Sequence, residues 1–217
     1  MASSASATYS DHYDPLWKVC ADCGVVVNHH SGGGTPDDGD VPSAGLIWLA
    51  ETAFFSRRAL THLIASGAFE RFPGLRFGLT EQGGSWVTPA LAMLDAFHFR
   101  ISSTSSGGEP GVPEGGRLPL CPSEYFARNC SVAVSFPNPK DGIARHAIGL
   151  DHYMWGNDEP WFPMRRSLAE ARQLPLGGDA MAAFPGGTAR RLFDRSGSSA
   201  RAPARRQGRI EVPSPNG

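Results

Sequence analysis

The chain has 217 residues, of which 41% are hydrophobic, and its formal net charge at pH 7 is −1. This length is enough for one domain with a sizeable core. The near-neutral charge argues against a nucleic-acid or membrane-surface partner that is bound by charge. No apolar run approaches the ~20 residues that cross a bilayer. Residues 1–10 lack the apolar centre of a signal peptide, so we expect a cytoplasmic protein.

The two ends of the chain have the composition of unstructured segments. Residues 1–10 are small and polar, and residues 196–217 are rich in arginine, proline, serine and glycine. Such segments bury too little apolar surface to offset the entropy of folding. We therefore expect a disordered N-terminus, one folded domain over residues 11–195, and a disordered basic tail.

Strand-like and helix-like patterns alternate between these ends. Short apolar or β-branched runs predict four strands, at residues 25–28, 75–80, 131–136 and 153–157. Apolar residues at helical spacing predict helices at residues 13–23, 46–69, 86–99, 164–173 and 179–193, with a short helical turn at 139–148. Four strand–helix units in succession indicate a parallel sheet, either in a barrel or in a doubly wound fold. No GxGxxG follows a strand, so a dinucleotide site is not predicted.

Polar side chains follow three of the four predicted strands. The first strand ends in Asn28, His29 and His30, Glu81 follows the second, and Asp158 follows the fourth. The carboxyl ends of parallel strands share one edge, where imidazole and carboxylate groups can hold a divalent metal. Strand side chains alternate in direction, so at most one of the two histidines points to such a site. Simpler roles remain open, because Asp158 could cap a helix and Glu81 could face a helix N-terminus.

A series of motifs in chain order resembles one known family. The motifs are YDPLW at residues 13–17, VNHHSG at 27–32, FERFPGLRF at 69–77, MWGNDEP at 154–160 and GTARRLF at 187–193. Together they resemble the amidohydrolase-related proteins, in the branch similar to aminocarboxymuconate-semialdehyde decarboxylase. The resemblance implies an α/β fold, namely a partial (β/α)8 TIM-type barrel with about four parallel βα units that match strands 5 to 8.

The same resemblance implies a function and a set of site residues. The implied reaction is hydrolysis or non-oxidative decarboxylation of a small organic substrate, a carboxylate or an aromatic compound, at one divalent ion that is often zinc. By motif position, His30 matches the metal histidine of strand five. Asp158 matches the aspartate of strand eight, which binds the metal and handles the proton of the bound water. Glu81 stands where many members carry a catalytic histidine. The resemblance therefore suggests Asp158 and Glu81 as catalytic residues and His30 and Asp158 as metal ligands, with His29 and Asn28 as further candidates.

The chain also departs from the family pattern, which leaves other readings open. The family carries a His-x-His pair on its first strand, and nothing before Tyr13 resembles it. One hypothesis is an enzyme that completes its site with another chain or has a metal site of unusual composition, and the alternative is a truncated, catalytically inactive half-barrel. A half-barrel has two open sheet edges, so we expect the chain to pair with another copy or to be marginally stable. A third hypothesis, a calcium patch at Asp37, Asp38 and Asp40, lacks the twelve-residue ligand pattern of a calcium loop.

Overall fold

Four parallel strands form one sheet, in the order β1-β2-β3-β4. The computed structural model describes residues 9–32, 34, 37, 39–103, 118–135, 137–138 and 148–194. The strands are β1 (Val26–His30), β2 (Arg76–Thr80), β3 (Cys130–Val134) and β4 (Tyr153–Trp155). Sequential parallel order is what successive right-handed βα crossovers produce. The predicted α/β fold with four parallel βα units is therefore confirmed.

Helices connect the strands along the chain. The helices before β3 are α1 (Asp14–Asp22), α2 (Ala44–Ala65), α3 (Ala68–Arg71), α4 (Val87–Ser103) and α5 (Pro122–Asn129). After β4 come α6 (Met164–Ala171), α7 (Gly178–Ala182) and α8 (Thr188–Phe193), with a π-helical turn (Ala183–Gly187) between the last two. Among the described residues, no helix is both long enough and apolar enough to span a bilayer.

The helices differ from the sequence prediction in three places. The helix predicted over residues 179–193 is interrupted by the π-helical turn Ala183–Gly187. The single helix predicted over residues 46–69 is divided at Gly67, whose φ of 71° belongs to the left-handed region that favours glycine. The sequence analysis predicted no helix over residues 122–129, where the structure has α5. Its start is fixed by a capping box, in which the Cys121 N–H donates to the Glu124 carboxylate at 2.8 Å.

Several predicted segments lie wholly or largely outside the described residues. They are most of the helical turn at 139–148, Phe136 at the end of the predicted third strand, and the two expected disordered ends apart from Tyr9 and Ser10.

The main core lies between the sheet and the helices on one of its faces. Strand side chains on that face are buried, among them Phe77, Leu79, Val132, Val134 and Tyr153. They pack against buried residues of the helices and connecting segments: Leu60, Leu63, Ile64, Phe69, Val87, Tyr125, Phe126 and Phe184. This arrangement, with helices packed on a parallel sheet, is the layer structure of α/β folds.

A smaller cluster lies on the opposite face of the sheet. Leu192 of α8 packs there against Ala133 and Met154, with Val26 beside them. Arg76, the first residue of β2, donates hydrogen bonds to the carbonyl oxygens of Gly24 and Leu192. Helix α8 is therefore tied to the amino ends of the strands on this face, at the opposite end of the sheet from the polar strand ends.

Gly84 offers a test of this packing, because its loop lies against β4. A Cβ atom on Gly84 would overlap the hydroxyl of the fully buried Tyr153. We expect Gly84→Ala to lower the free energy of unfolding by about 2–3 kcal/mol, the usual effect of overpacking a core. Urea unfolding measures this change. The control is Gly45→Ala in α2, where no atom lies within 4 Å of the added Cβ and a helical glycine-to-alanine change is neutral or stabilising. Equal stability of the two variants would contradict the packing described.

Candidate metal centre

Three polar side chains meet at the carboxyl edge of the sheet. His30 is the last residue of β1, Glu81 directly follows β2, and Asp158 follows β4 by a short turn. One ligand atom from each lies within 4.8 Å of the other two. Within the described residues, this is the one group of three or more His, Cys, Asp or Glu side chains with metal-binding geometry.

The register of the sheet accounts for this convergence. His30 pairs with Thr80 across β1 and β2, which places Glu81 one residue beyond the histidine. Backbone hydrogen bonds extend the ladder past the strand ends: Ser31 N–H donates to the Thr80 carbonyl at 3.1 Å, and Glu81 N–H donates to the Ala133 carbonyl at 3.2 Å. The first residues after the strands are therefore held as firmly as the strands themselves.

Glu81 has an unusual backbone conformation for its residue type. Its φ of 59° lies in the left-handed region, and it is the one non-glycine residue with positive φ in the described part of the chain. This conformation costs a residue with a Cβ about 1 kcal/mol, and such strain is concentrated at functional sites. The carboxylate is only 16% exposed, and its Oε2 lies 3.0 Å from Nε2 of His30.

The orientation of the His30 ring suits a metal ligand. Its Nδ1 lies 3.0 Å from the carbonyl oxygen of Ser31. A carbonyl can only accept a hydrogen bond, so this contact forms when Nδ1 is the donor, and Nε2 then faces the Glu81 carboxylate. A metal-binding histidine commonly donates its other ring N–H in this way, which fixes the tautomer and leaves Nε2 for the ion. The ring is 55% exposed, so Nε2 can be reached from solvent.

His29 points to the other face of the sheet. Its ring stacks on Phe77 with a centroid separation of 6.3 Å and an interplanar angle of 20°. Burial lowers the pKa of His29, an effect opposed by its hydrogen bond to the backbone of Ser56. His29 is thus a half-buried residue beneath α2 and does not join the metal-binding group.

Asn28 lies on the same face as His30, two residues earlier. Its side chain covers Gly78 on the neighbouring strand, where an added Cβ would overlap the amide oxygen. Asn28 is therefore a neighbour of the site on the sheet surface, and it is not part of the group formed by His30, Glu81 and Asp158.

Asp158 is half-buried in the turn that follows β4. The cap-like contact that the sequence allowed for Asp158 is made by its neighbour Glu159, whose Oε2 accepts a hydrogen bond at 2.9 Å from the first N–H of α6. The Asp158 side chain is directed to the cluster with His30 and Glu81. The roles predicted for these three residues stay predictions, but the structure brings all three together.

Three side-chain hydrogen bonds that the sequence analysis missed lie at or near the site. Ser31 donates a hydrogen bond from Oγ to Glu81 Oε2 at 3.0 Å. Trp155 Nε1 donates to Ser167 Oγ at 3.1 Å, which in turn donates to the Ser135 carbonyl at 3.2 Å, so α6 is tied to the ends of β3 and β4. The one available signal for Ser31 was its position between His30 and a glycine.

The acidic loop after β1 does not form the calcium patch in its described residues. Asp37 Oδ1 accepts a hydrogen bond at 3.0 Å from the N–H of Gly39, which is an Asx-type turn. Asp38 lies outside the described residues. Asp37 and Asp40 belong to no metal-capable group in the described part of the chain.

The three side chains fit a single divalent ion. Ligands of one such ion are about 3.0 to 4.2 Å apart, since each lies roughly 2.1 Å from it. The separations of up to 4.8 Å seen here therefore need only small side-chain movements. One neutral nitrogen and two carboxylate oxygens also match the ligand types of zinc and manganese.

Comparison with known proteins identifies the family. The model of the amidohydrolase family matches residues 2–195 of this chain. The chain belongs to the amidohydrolase family. The sequence resemblance to amidohydrolase-related proteins is therefore confirmed. No curated protein matches the chain.

Solved structures of several decarboxylases share the fold of this amidohydrolase chain. The 5-carboxyvanillate decarboxylase LigW of Sphingomonas paucimobilis has a TM-score of 0.69 and 24% identity, and the match covers 87% of this chain and 55% of that one. A manganese-bound dihydroxybenzoic acid decarboxylase of Polaromonas sp. JS666 has a TM-score of 0.65 and 17% identity, with 88% and 56% covered. A manganese complex of 5-carboxyvanillate decarboxylase from Novosphingobium aromaticivorans has a TM-score of 0.68 and 17% identity, with 87% and 53% covered. The chain thus spans about half the length of these structures.

Two variants at position 81 test the backbone strain. Glu81→Ala and Glu81→Gly both remove the carboxylate, but only glycine removes the cost of the left-handed φ. We expect Glu81→Gly to be more stable than Glu81→Ala by about 1 kcal/mol in metal-free urea unfolding. If alanine were equally stable, the left-handed conformation of residue 81 in the folded protein would be refuted.

Proposed function

We propose that this amidohydrolase-family chain carries a divalent metal site for hydrolysis or non-oxidative decarboxylation of a small aromatic carboxylate. The observation that carries the proposal is the convergence of His30, Glu81 and Asp158 at the carboxyl edge of the sheet. The structural matches support the reaction class, since they include decarboxylases of aromatic acids, three of them with manganese. The chain covers about half of those structures, so the activity is argued from this site.

His30, Glu81 and Asp158 would hold the ion. The sequence resemblance suggests zinc, whereas two carboxylates with one imidazole form an oxygen-rich set, which suits manganese as well. Because three structural matches contain manganese, we propose manganese as the preferred ion and zinc as its competitor. An ion at this place would supply Lewis-acid polarisation of a substrate oxygen or an acidified water.

The residues of the chain supply the proton handling. Non-oxidative decarboxylation breaks the bond between the ring carbon and the carboxylate, releases CO2, and requires a proton on that carbon. In hydrolysis, a carboxylate must instead accept a proton from the attacking water. Asp158 and Glu81 are the carboxylates at the site, and both are half-buried. We assign the proton transfer to Asp158 and an assisting role to Glu81.

A catalytically inactive half-barrel is the alternative function. In the described residues the site holds three candidate ligands and no His-x-His pair. Three protein ligands can hold an ion and leave positions open for substrate. The enzyme and the inactive half-barrel differ in whether metal binding by the chain is accompanied by turnover.

Metal binding by the purified chain tests the site directly. We expect about one manganese or zinc per chain by elemental analysis, and a rise in melting temperature when the metal is added, because the ion binds the folded state. His30→Ala and Asp158→Ala should each lose the metal and the rise. His12→Ala, which changes an exposed histidine at the start of the described chain, should keep both.

Turnover separates the enzyme from the inactive half-barrel. The metal-loaded chain should release CO2 from 5-carboxyvanillate or 2,6-dihydroxybenzoate, the compounds for which two of the structural matches are named, and Asp158→Ala should not. Metal binding without turnover of either compound would favour the inactive alternative. Absence of metal binding in the wild type would overturn the proposed site.

We also propose that the chain assembles with a second copy. Within the described residues, β1 pairs only with β2 and β4 only with β3, so each has one edge with no strand beside it. Exposed parallel edges favour further strand pairing. We expect size-exclusion chromatography with light scattering to give a mass of at least two chains. A homogeneous and thermally stable monomer would contradict this proposal.

A further inference from the structure

We propose that Ser31 is a positioning residue that holds the Glu81 carboxylate in place for the metal. The inference rests on the proposed metal site. The role of Ser31 is inferred from the 3.0 Å hydrogen bond that its Oγ donates to Glu81 Oε2, between residues that are 50 positions apart in the sequence. The same Oε2 lies 3.0 Å from Nε2 of His30, so Ser31 acts on the oxygen that faces the histidine.

Ser31 is itself held from two sides. Its N–H donates to the Thr80 carbonyl at 3.1 Å, which extends the ladder between β1 and β2. The next N–H along the chain, that of Gly32, donates to Ser56 Oγ at 3.0 Å. Ser56 is fully buried in α2. The backbone that carries the Ser31 side chain is therefore held by the sheet and by α2, independently of any ion.

A hydroxyl at this point has a specific effect on the carboxylate. A carboxylate oxygen can accept more than one interaction, so a hydrogen bond from Ser31 leaves further lone pairs on Glu81 for an ion. The hydrogen bond also restricts the side-chain rotation that the glutamate would otherwise lose on metal binding. Such outer contacts typically change metal affinity 10- to 100-fold when they are removed.

The left-handed backbone of Glu81 and the Ser31 hydrogen bond act together on the Glu81 side chain. Its φ of 59° turns the residue at the end of β2, and its N–H is bonded to the Ala133 carbonyl at 3.2 Å. The backbone therefore fixes the position of the Glu81 Cβ, and the hydrogen bond from Ser31 fixes the position of the Glu81 carboxylate. Together they fix both ends of a flexible side chain next to His30.

Calorimetric titration of the full chain with manganese chloride tests the role of Ser31. We expect Ser31→Ala to weaken manganese binding about 10- to 100-fold, and Ser31→Thr, which keeps the hydroxyl, to stay within about threefold of the wild type. Ser66→Ala is the matched control, because Ser66 also donates a side-chain hydrogen bond, to the Leu63 carbonyl at the far end of α2. It should bind manganese like the wild type.

Two further measurements separate positioning from a purely structural role. The melting temperature of metal-free Ser31→Ala should match that of Ser66→Ala, while the electron paramagnetic resonance spectrum of its bound manganese should differ from that of the wild type. If Ser31→Ala does not fold, Ser31→Cys replaces it as a weaker donor, and it should also bind manganese more weakly than Ser31→Thr.

The outcomes distinguish this inference from the proposed function. Wild-type affinity in Ser31→Ala, with binding lost in His30→Ala, would overturn the role of Ser31 and leave the metal site intact. Equal weakening in Ser31→Ala and Ser31→Thr would also overturn it, since the hydroxyl would not be the cause. No manganese binding by the wild type would overturn both.

Discussion

The parallel hydrogen-bond ladder is the constraint on which the candidate site depends. It brings the carboxyl ends of the strands to one edge and continues beyond them, through the N–H groups of Ser31 and Glu81. The register also selects between adjacent histidines, because His30 lies at the edge while His29 faces α2. A slip of one residue would exchange their faces. The chemistry of this edge is therefore set by backbone pairing as much as by residue type.

Local strain and local support coincide at Glu81. The left-handed backbone is unfavourable for a glutamate, yet it occurs where the carboxylate meets His30 and the Ser31 hydroxyl. The surrounding strands and the buried Ser56 on α2 keep this end of the sheet in place. Strain that persists in a well-supported position is a common property of functional sites. The position thus combines a stability cost with a fixed position of the carboxylate.

The structural matches establish the fold of this chain but not its substrate. At 24% identity or less they share the fold with this chain, and the chain spans about half of their length. One fold supports many reactions, so the reaction must be argued from the site. Here the site contributes one imidazole and two carboxylates on a single edge of a four-stranded sheet. These three groups are the candidate ligands on which the proposed metal-dependent function rests.

The sequence by itself determined the alternation of four strands with helices, the parallel sheet, the family, and the polar residues at the strand ends. These depend on short-range patterns: apolar runs, side-chain alternation and motif order. It missed α5, the break at Gly67 and the Ser31–Glu81 contact, for which the local pattern gives little or no signal. Only the tertiary structure decided that His30, Glu81 and Asp158 converge and that His29 is excluded. The physical reason is that distances between residues far apart in the chain follow from strand register and packing, which no local pattern contains.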